Sequence, residues 1–157
     1  MGDYDHLPDN LVDLIREHRK LYLTDPEQAH MWDARPVGLP GDVPTLLLTV
    51  TGRRSGKVRH CPVLYTPGPG VFYIVGSRGG SPGHPSWYLN LREMDDCEIR
   101  VGARRTRAVW RELQGDERTR VWAQVAAAIP VYDAYQARTD RQIPLIELTP
   151  QDAPAAG

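Results

Sequence analysis

The feature that most constrains this chain is a series of short β-rich segments that begins after Pro44. Each segment is rich in β-branched, aromatic or leucine residues and is bounded by glycine, proline or charged residues, a pattern typical of strands in one sheet. The six predicted strands are residues 45–51, 58–65, 71–76, 97–101, 106–113 and 145–149. Links 52–57, 67–70 and 102–105 are short enough for hairpins and too short for βαβ crossovers. The pattern therefore predicts an antiparallel sheet rather than a doubly wound nucleotide-binding fold.

Helical patterns precede and interrupt the predicted strands. Residues 9–23 place Leu11, Leu14, Ile15, Leu21 and Tyr22 near one face of an amphipathic helix. Further helices are predicted at 85–93 and 116–128, and in a short segment carrying Tyr132, Tyr135 and Gln136. We therefore expect a mainly β, α+β fold: a closed or partly closed six-stranded antiparallel β-barrel flanked by helices.

The domain organisation is expected to be simple. At 157 residues the chain fits one core. Residues 1–44 are expected to form the amphipathic helix and a proline-rich connecting arm, with one turn of helix near 27–32; residues 45–150 the barrel domain; and residues 151–157 a disordered tail. The first helix is predicted to pack on the barrel, although pairing with another chain or contact with a membrane surface also fits an amphipathic helix.

Composition excludes several classes of function. A net charge of -1 and a pI near 6.5 argue against a general nucleic-acid-binding module. Two cysteines, Cys61 and Cys97, are too few for a disulfide scaffold and indicate a reducing cytoplasm. No stretch approaches the length of a membrane span, and the five scattered histidines predict no metal site.

A basic turn between the first two predicted strands is the first candidate binding site. Arg53, Arg54, Lys57 and Arg59 fall within seven residues, and Ser55 lies between them. Guanidinium groups grip phosphate through paired donors, and the glycines of this turn let backbone approach a ligand. An anion site and a solvated basic turn both fit the pattern when it is taken alone. The segment is not a P-loop, because the Gly-Lys-Ser/Thr ending and the following helix are absent.

A second glycine-rich corner, residues 76–81, leaves an apolar strand and leads towards Trp87. Two cationic corners at strand ends with an aromatic residue nearby suit a ligand that has a phosphate tail and a flat ring. Tyr132 and Tyr135, three residues apart on a helix, could wall such a pocket, although tyrosines at this spacing more often pack in a core.

The ordered motifs of the chain resemble those of the actinobacterial deazaflavin-dependent nitroreductase family, which comprises quinone and nitro reductases that use reduced coenzyme F420. The similar region runs from about Leu46 to Pro150. Its motifs are residues 46–49 and 51–56, the sequence Ser-Arg-Gly-Gly at 77–80, Trp-Tyr-Leu-Asn-Leu at 87–91, Tyr-Asp-Ala-Tyr-Gln at 132–136 and Thr-Asp-Arg-Gln-Ile-Pro at 139–144. The resemblance implies a split β-barrel and a hydride transfer from F420H2 to a small organic acceptor such as a quinone or nitro compound.

The resemblance also implies roles for individual residues. The cofactor tail would be held by Arg53, Arg54, Ser55 and Arg59. The deazaflavin ring would be edged by His60, Cys61, Pro62, Val63 and Leu64, with Val75, Gly76, Ser77 and Arg78 opposite. The groove would be closed by Ser86, Trp87, Tyr88, Leu89 and Asn90, and Tyr132 would lie beside the cofactor. Ser77, Tyr132 and Tyr135 would face the acceptor and steady its developing negative charge.

Four positions depart from the pattern of the characterised members. Arginine replaces lysine at Arg54 and Arg78, Cys61 replaces a polar amide, and Ile129 replaces a tyrosine. Arginine recognises phosphate through a planar fork rather than a point charge, so the affinity for the tail is expected to differ. The apolar Ile129 predicts a pocket poorly suited to nitroimidazoles.

Three alternatives to the F420-dependent enzyme remain at the level of sequence. One is a split-barrel enzyme that uses FMN in the same groove, and another is a non-catalytic carrier of F420. A nucleic-acid module is the third, and the near-neutral net charge argues against it. We expect a cytoplasmic protein whose contact with membranes is at most weak and peripheral, because the polar face of residues 9–23 mixes acids and bases.

Overall fold

A computed structural model describes residues 10–151 of the chain, which form five α-helices and eight strands. The helices are α1 (Leu11–Thr24), α2 (Pro26–Ala29), α3 (Ser86–Leu91), α4 (Gly115–Ala128) and α5 (Val131–Ala137). The strands are β1 (Met31–Asp33), β2 (Asp42–Thr51), β3 (Val58–Leu64), β4 (Thr66–Gly68), β5 (Val71–Val75), β6 (Asp96–Val101), β7 (Arg104–Glu112) and β8 (Leu145–Pro150). Helix boundaries follow local signals, such as the proline that opens α2 and Pro130, two residues after the last residue of α4.

All strand pairs are antiparallel, and the sheet runs in the order β1-β2-β6-β7-β8-β5-β4, with β3 paired to the other side of β2. The ten-residue strand β2 is the hub of the sheet: its residues 42–44 pair with β1, and its residues 47–49 pair with β3 and β6 at the same time. Curling of this sheet gives the split β-barrel flanked by helices that the sequence predicted, so the predicted fold class is confirmed.

The split lies between β3 and β5. Beyond β3 the chain continues through Tyr65 into β4, which leaves β2 and pairs instead with β5. This crossing joins the two edges of the sheet at Tyr65, while β3 and the end of β5 at Val75 diverge. Among residues 10–151, the outer edge of β3 pairs with no strand. An unpaired edge facing a gap leaves backbone donors and acceptors available to a ligand.

The predicted strand count and one predicted hairpin are wrong. The structure adds the three-residue strands β1 and β4, and β2 begins at Asp42 rather than after Pro44. Segments this short carry no alternation pattern, and Pro44 is tolerated near a strand end, where it lies opposite Met31. The link 67–70 does not join β3 to β5 as a hairpin, because β4 supplies that partner for β5.

Two large hydrophobic clusters support the strands that border the gap. One core fills the barrel and is formed by β2, β5, β6, β7, β8 and α3, with Leu46, Ile99 and Leu148 fully buried. The other lies between the sheet and the helices α4 and α5, and it includes Tyr132 and Tyr135. The strands that border the gap, β3 and β5, each contribute side chains to both clusters, so both strands are supported by the two cores.

Helix α1 is fixed to the barrel by buried polar contacts. The Tyr22 hydroxyl donates to the carbonyl O of Thr45 at 2.7 Å and accepts from the backbone N–H of Gly102 at 3.1 Å. His18 Nε2 donates to the carbonyl O of Ala29 at 2.9 Å, and its ring stacks on Trp32 at 5.5 Å. Satisfied buried polar groups specify one geometry, so α1 has a defined position on the barrel.

Two predictions extend beyond the described residues. Asp9, the first residue of the predicted N-terminal helix, lies outside them, and so do residues 152–157 of the predicted disordered tail. Gln151 is described, and its backbone N–H donates to the carbonyl O of Arg107 at 2.8 Å.

Candidate active site

Two joined cavities occupy the gap between β3 and β5 and its outer end. The first, here called the gap cavity, has a volume of about 360 Å³ and is lined by the facing parts of β3 and β5 together with α1 and α5. The second, here called the arginine cavity, has a volume of about 350 Å³ and lies at the turn between β2 and β3. Both are lined by Arg19, His60, Cys61, Ser86 and Trp87, so they form one continuous site. Each volume falls within the range of small-molecule sites.

The gap cavity has largely apolar walls. Cys61, Pro62, Val63 and Leu64 line it from β3, and Val75 lines it from β5. Its far end lies between α1 and the arm, where the lining residues are Leu11, Ile15, Trp32, Val37 and Leu39. Apolar walls that include the indoles of Trp32 and Trp87 suit a flat, conjugated ligand.

The arginine cavity is lined by four arginines, Arg19, Arg53, Arg54 and Arg59, and by no carboxylate of the described residues. Arginines elsewhere on the surface do have acidic partners, as in the bidentate pair of Arg111 with Glu117. Four guanidinium groups around one cavity repel each other unless an anion is bound there. The positive charge of this cavity suits a ligand with more than one negative charge.

Asn90 orients one of these arginines. Its side-chain oxygen accepts from the backbone N–H of Arg53 at 3.0 Å and from Arg53 Nη1 at 2.9 Å. The Asn90 side chain is buried beneath the turn, on helix α3. The same contact therefore fixes the turn and the direction of the Arg53 guanidinium.

The turn itself is closed by its own hydrogen bonds. The backbone N–H of Gly52 donates to the carbonyl O of Lys57 at 2.8 Å, and that of Lys57 donates to Ser55 Oγ at 3.1 Å. Gly56 has a φ of +70°, which a residue with a side chain rarely adopts. Glycine is thus required at this point to fold back the basic turn.

The corner at residues 76–81 is held by Arg141. Its guanidinium donates to the carbonyl oxygens of Gly76 at 3.2 Å, Ser77 at 2.6 Å and Ser81 at 2.9 Å. Three carbonyls of one loop bound by one planar group leave that loop little freedom. The loop in turn presents Ser77 and Arg78 to the gap cavity.

Close packing of glycine fixes the distance between this corner and helix α5. A Cβ atom added to Gly80 would lie 2.5 Å from the carbonyl O of Tyr135, and Gly80 has a φ of +79°. Only glycine fits both constraints. The approach brings Tyr132 and Tyr135 into the wall of the gap cavity beside Ser77.

The two tyrosines remain protonated hydrogen-bond donors. Burial raises the pKa of Tyr132, and it also raises the pKa of Tyr135. Tyr132 is buried, with 4% of its surface exposed, and it lines the gap cavity. Its hydroxyl has no hydrogen-bond partner among the described residues. A neutral phenol that lines a cavity can donate to a ligand oxygen that gains negative charge.

Two residues of β3 lie where the cavities meet. His60 Nδ1 forms a 2.9 Å hydrogen bond with Thr49 Oγ1, which fixes the ring on the outer face of the strand. Burial raises the pKa of the Cys61 thiol to about 11. The positive charges of Arg19 and Arg59 lower this pKa, but their effect is smaller than that of burial. Cys61 is therefore a protonated thiol at neutral pH and not an activated nucleophile.

The structure brings together most of the residues predicted for the site. Arg53, Arg54, Ser55, Arg59 and Asn90 line the arginine cavity. The gap cavity contains His60, Cys61, Pro62, Val63, Leu64, Val75, Ser77, Arg78, Ser86, Trp87, Tyr132 and Tyr135. Arg78 therefore lines the gap cavity, whereas the arginines of the turn line the arginine cavity.

Some predicted residues lie elsewhere. Gly76, Tyr88 and Leu89 line neither cavity. Tyr88 is buried in the barrel core, and its hydroxyl donates to Glu112 Oε1 at 2.5 Å. Ile129 is buried in the core beneath α4 and α5, away from both cavities.

Sequence reasoning missed Arg19 and Trp32, which line the cavities, and Arg141, which holds the corner at residues 76–81. Arg19 lies four residues after Ile15, so helical periodicity could have placed it on the face that covers the gap. Arg141 belongs to the motif at 139–144, but its binding to a loop 60 or more residues earlier in the chain depends on the fold.

Two further properties bear on function. No helix within residues 10–151 has the length and apolar character needed to cross a membrane. Within the same range, no group of three or more His, Cys, Asp or Glu side chains could hold a metal ion.

Comparison with known proteins gives one consistent result. Residues 25–150 match the family model described as F420H(2)-dependent quinone reductase. An F420H(2)-dependent quinone reductase of Mycobacterium tuberculosis is 34% identical over 142 residues, which cover 88% of this chain and 91% of that protein. A second protein of that species, named for the same activity, is 38% identical over 116 residues, covering 73% of this chain and 96% of its own length.

Two solved structures are similar to this chain in both fold and sequence. The structure of an F420-H2 dependent reductase, FDR-A, superposes with a TM-score of 0.61 at 38% identity and covers 67% of this chain and 93% of its own. A structure described as a domain-swapped dimer superposes with a TM-score of 0.64 at 33% identity, covering 88% of this chain and 98% of its own.

Proposed function

The chain belongs to the F420H(2)-dependent quinone reductase family, and on that basis we propose that its two joined cavities bind coenzyme F420 and a quinone-type acceptor. The protein is an F420H2-dependent oxidoreductase. The observation that carries the assignment of the site is the direct connection between an apolar gap and a cavity lined by four arginines.

The residues present fit this cofactor. F420 combines a flat deazaflavin ring with a phosphate-bearing acidic tail, and the site offers one cavity suited to each part. In our proposal Arg53, Arg54, Ser55 and Arg59 hold the tail, with Asn90 orienting Arg53. Residues 60–64 of β3, whose outer edge is unpaired, and residues 75–78 would hold the ring in the gap cavity.

When bound in its reduced form, the cofactor supplies the hydride from its own ring carbon. The contribution of the chain is then position, exclusion of water and hydrogen-bond donors. Trp87 and the apolar residues of β3 exclude water from one side of the gap cavity. No nucleophile or general base is required.

Ser77, Tyr132 and Tyr135 are the proposed donors to the acceptor. All three line the gap cavity, and Gly80 lets α5 approach the Ser77 loop closely. With its pKa raised by burial, Tyr132 keeps its proton and can donate to a quinone oxygen that gains electrons. The remaining apolar lining, from α1 and the arm, suits the carbon skeleton of a quinone.

The test is a pair of titrations followed by turnover. We expect F420 to bind saturably in a fluorescence titration and FMN to bind far more weakly, and we expect anaerobic oxidation of F420H2 to require menadione, a small naphthoquinone. Saturable binding of FMN without binding of F420 would favour a flavin enzyme. Binding of F420 without quinone-dependent oxidation would favour a carrier, and either result would overturn the proposal.

A variant tests the role of the proposed donor. Tyr132→Phe removes only a hydroxyl, so the affinity for F420 should stay within about twofold of the parent while kcat with menadione falls roughly tenfold or more. Tyr73→Phe, which changes a buried tyrosine outside both cavities, is the matched control. Unchanged turnover in Tyr132→Phe would remove this residue from the mechanism.

A further inference from the structure

One arginine of the arginine cavity comes from a distant part of the chain. Arg19 lies on helix α1, whereas Arg53, Arg54 and Arg59 belong to the turn between β2 and β3 and its flank. We propose that Arg19 is a specificity-determining residue, which binds the anionic tail of the cofactor and makes helix α1 part of the tail site. This inference rests on the proposed function and adds to it a contribution from the N-terminal helix.

The packing of α1 directs Arg19 towards the site. Leu11, His18 and Tyr22 are the buried residues of α1. Arg19 lies one turn beyond Ile15, which lines the gap cavity, so both residues are on the side of the helix that faces the site. The hydrogen bonds of His18 and Tyr22 flank Arg19 in sequence and fix its part of the helix. The direction of Arg19 is therefore set by buried contacts rather than by the side chain alone.

Two observations place the Arg19 guanidinium near the turn. Arg19 lines both cavities, at the position where they join. Its charge also acts on the Cys61 thiol together with that of Arg59, so both guanidinium groups lie close to one strand position. Arg19 and Arg59 therefore both border the arginine cavity, one from helix α1 and the other from strand β3.

Charge explains why an arginine at this position points to an anion. Among residues 10–151, no carboxylate lies within ion-pair distance of Arg19, whereas Arg16, one turn earlier, pairs with Asp13 at 3.2 Å. A half-buried cation beside three others raises the energy of the empty site. A ligand with several negative charges, as in a phosphate followed by carboxylates, removes this repulsion and binds across both elements.

The test compares two arginines of one helix. Arg19→Gln and Arg16→Gln change the net charge equally and keep a good helix-forming residue, but only Arg19 lines the cavities. Binding is measured by fluorescence titration with F420 and with the phosphate-free deazaflavin riboside. We expect Arg19→Gln to weaken binding of F420 about tenfold or more and to leave riboside binding within about twofold, because a charged hydrogen bond is lost only to the tail.

The controls separate the outcomes. Arg16→Gln should bind both ligands like the parent, and Arg19→Lys should recover part of the F420 affinity, since a cation is restored without the planar fork. Equal loss of both ligands in Arg19→Gln would show a packing role for the helix, and unchanged F420 binding would show no role; either result overturns the inference alone. Failure of the parent to bind F420 would instead overturn the proposed function.

Discussion

At the scale of single residues, the site depends on side chains that orient other side chains or loops. Asn90 uses one oxygen to hold both the backbone and the guanidinium of Arg53. Arg141 uses its donors on three carbonyls of the corner that carries Ser77. Neither residue needs to touch a ligand to matter, because a rigid site loses less freedom when a ligand binds.

Cys61 gives a prediction that depends on pH. Burial raises the pKa of its thiol to about 11. Because the thiolate is the reactive form, alkylation by iodoacetamide at pH 8 should be roughly 100-fold slower than for an exposed cysteine, and the rate should rise about tenfold per pH unit up to about pH 10. Bound F420 should slow it further, since Cys61 lines both cavities. Mass spectrometry after timed quenching measures the rate.

The same pKa determines the direction in which pH changes the stability of the folded state. A thiol whose pKa is higher in the folded state than in the unfolded state contributes stability below its ordinary pKa near 9, and this contribution is lost as pH rises towards 11. Cys61→Ser serves as the control for labelling, because Cys97 is 3% exposed and should react slowly. Rapid labelling of Cys61 at pH 8 would contradict the burial of its thiol.

At the scale of elements, the site exists because one strand changes partners. Strand β3 pairs with β2, and after Tyr65 the chain pairs with β5 as β4, so the gap opens on one side of this crossing only. Helices α1 and α5 then cover the gap from different ends. The positions of both helices are set by close contacts: those of His18 and Tyr22 for α1, and that of Gly80 for α5.

Gly80 allows this helix packing to be tested. Alanine at Gly80 must adopt a positive φ and also collides with the carbonyl O of Tyr135. We expect Gly80→Ala to lower the free energy of unfolding by about 3 kcal/mol or more, measured by urea denaturation. Gly102→Ala is the matched control, because Gly102 has a φ of +58° but nothing within 4 Å of an added Cβ.

The Gly102→Ala control should lower the free energy of unfolding by only about 1 kcal/mol, because only the positive φ is unfavourable for alanine there. The difference between the two variants then measures the clash between the corner and α5. Equal losses in both variants would mean that the corner and α5 can move apart, and the proposed alignment of Ser77 with Tyr132 would lose its structural basis.

At the scale of the whole molecule, a chain of net charge -1 concentrates positive charge in one cavity. Acidic residues elsewhere balance the arginines of the site, so there is little overall field and the attraction for an anion is local. This distribution accounts for a near-neutral protein that nevertheless selects a ligand with an acidic tail. Because this attraction is electrostatic, salt should weaken binding of the acidic tail more than binding of the ring.

Salt should weaken binding of F420 without affecting binding of the ring. Between roughly 0.1 M and 1 M NaCl the Debye length falls from about 10 Å to about 3 Å, so we expect the affinity for F420 to fall about tenfold or more. The phosphate-free riboside should bind with nearly constant affinity, since its contacts are largely apolar. Isothermal titration at several salt concentrations measures both, and parallel losses for the two ligands would contradict a separate tail site.

Local sequence was sufficient for much of this protein. Segments rich in β-forming residues, with turn residues between them, predicted the long strands and the β2–β3 and β6–β7 hairpins. The clustering of Arg53, Arg54 and Arg59 within one turn predicted a cationic site. These features arise from residues close together in the chain. Local propensity and spacing therefore carry the information.

Tertiary structure decided the rest. The short strands β1 and β4 form only because β2 and β5 offer partners, and the gap forms only because the chain changes partners at Tyr65. Arg19 and Arg141 reach the site across long stretches of sequence, through contacts that no local pattern encodes. Propensity acts between neighbours in the chain, whereas a binding site is set by the packing of elements that meet only after folding.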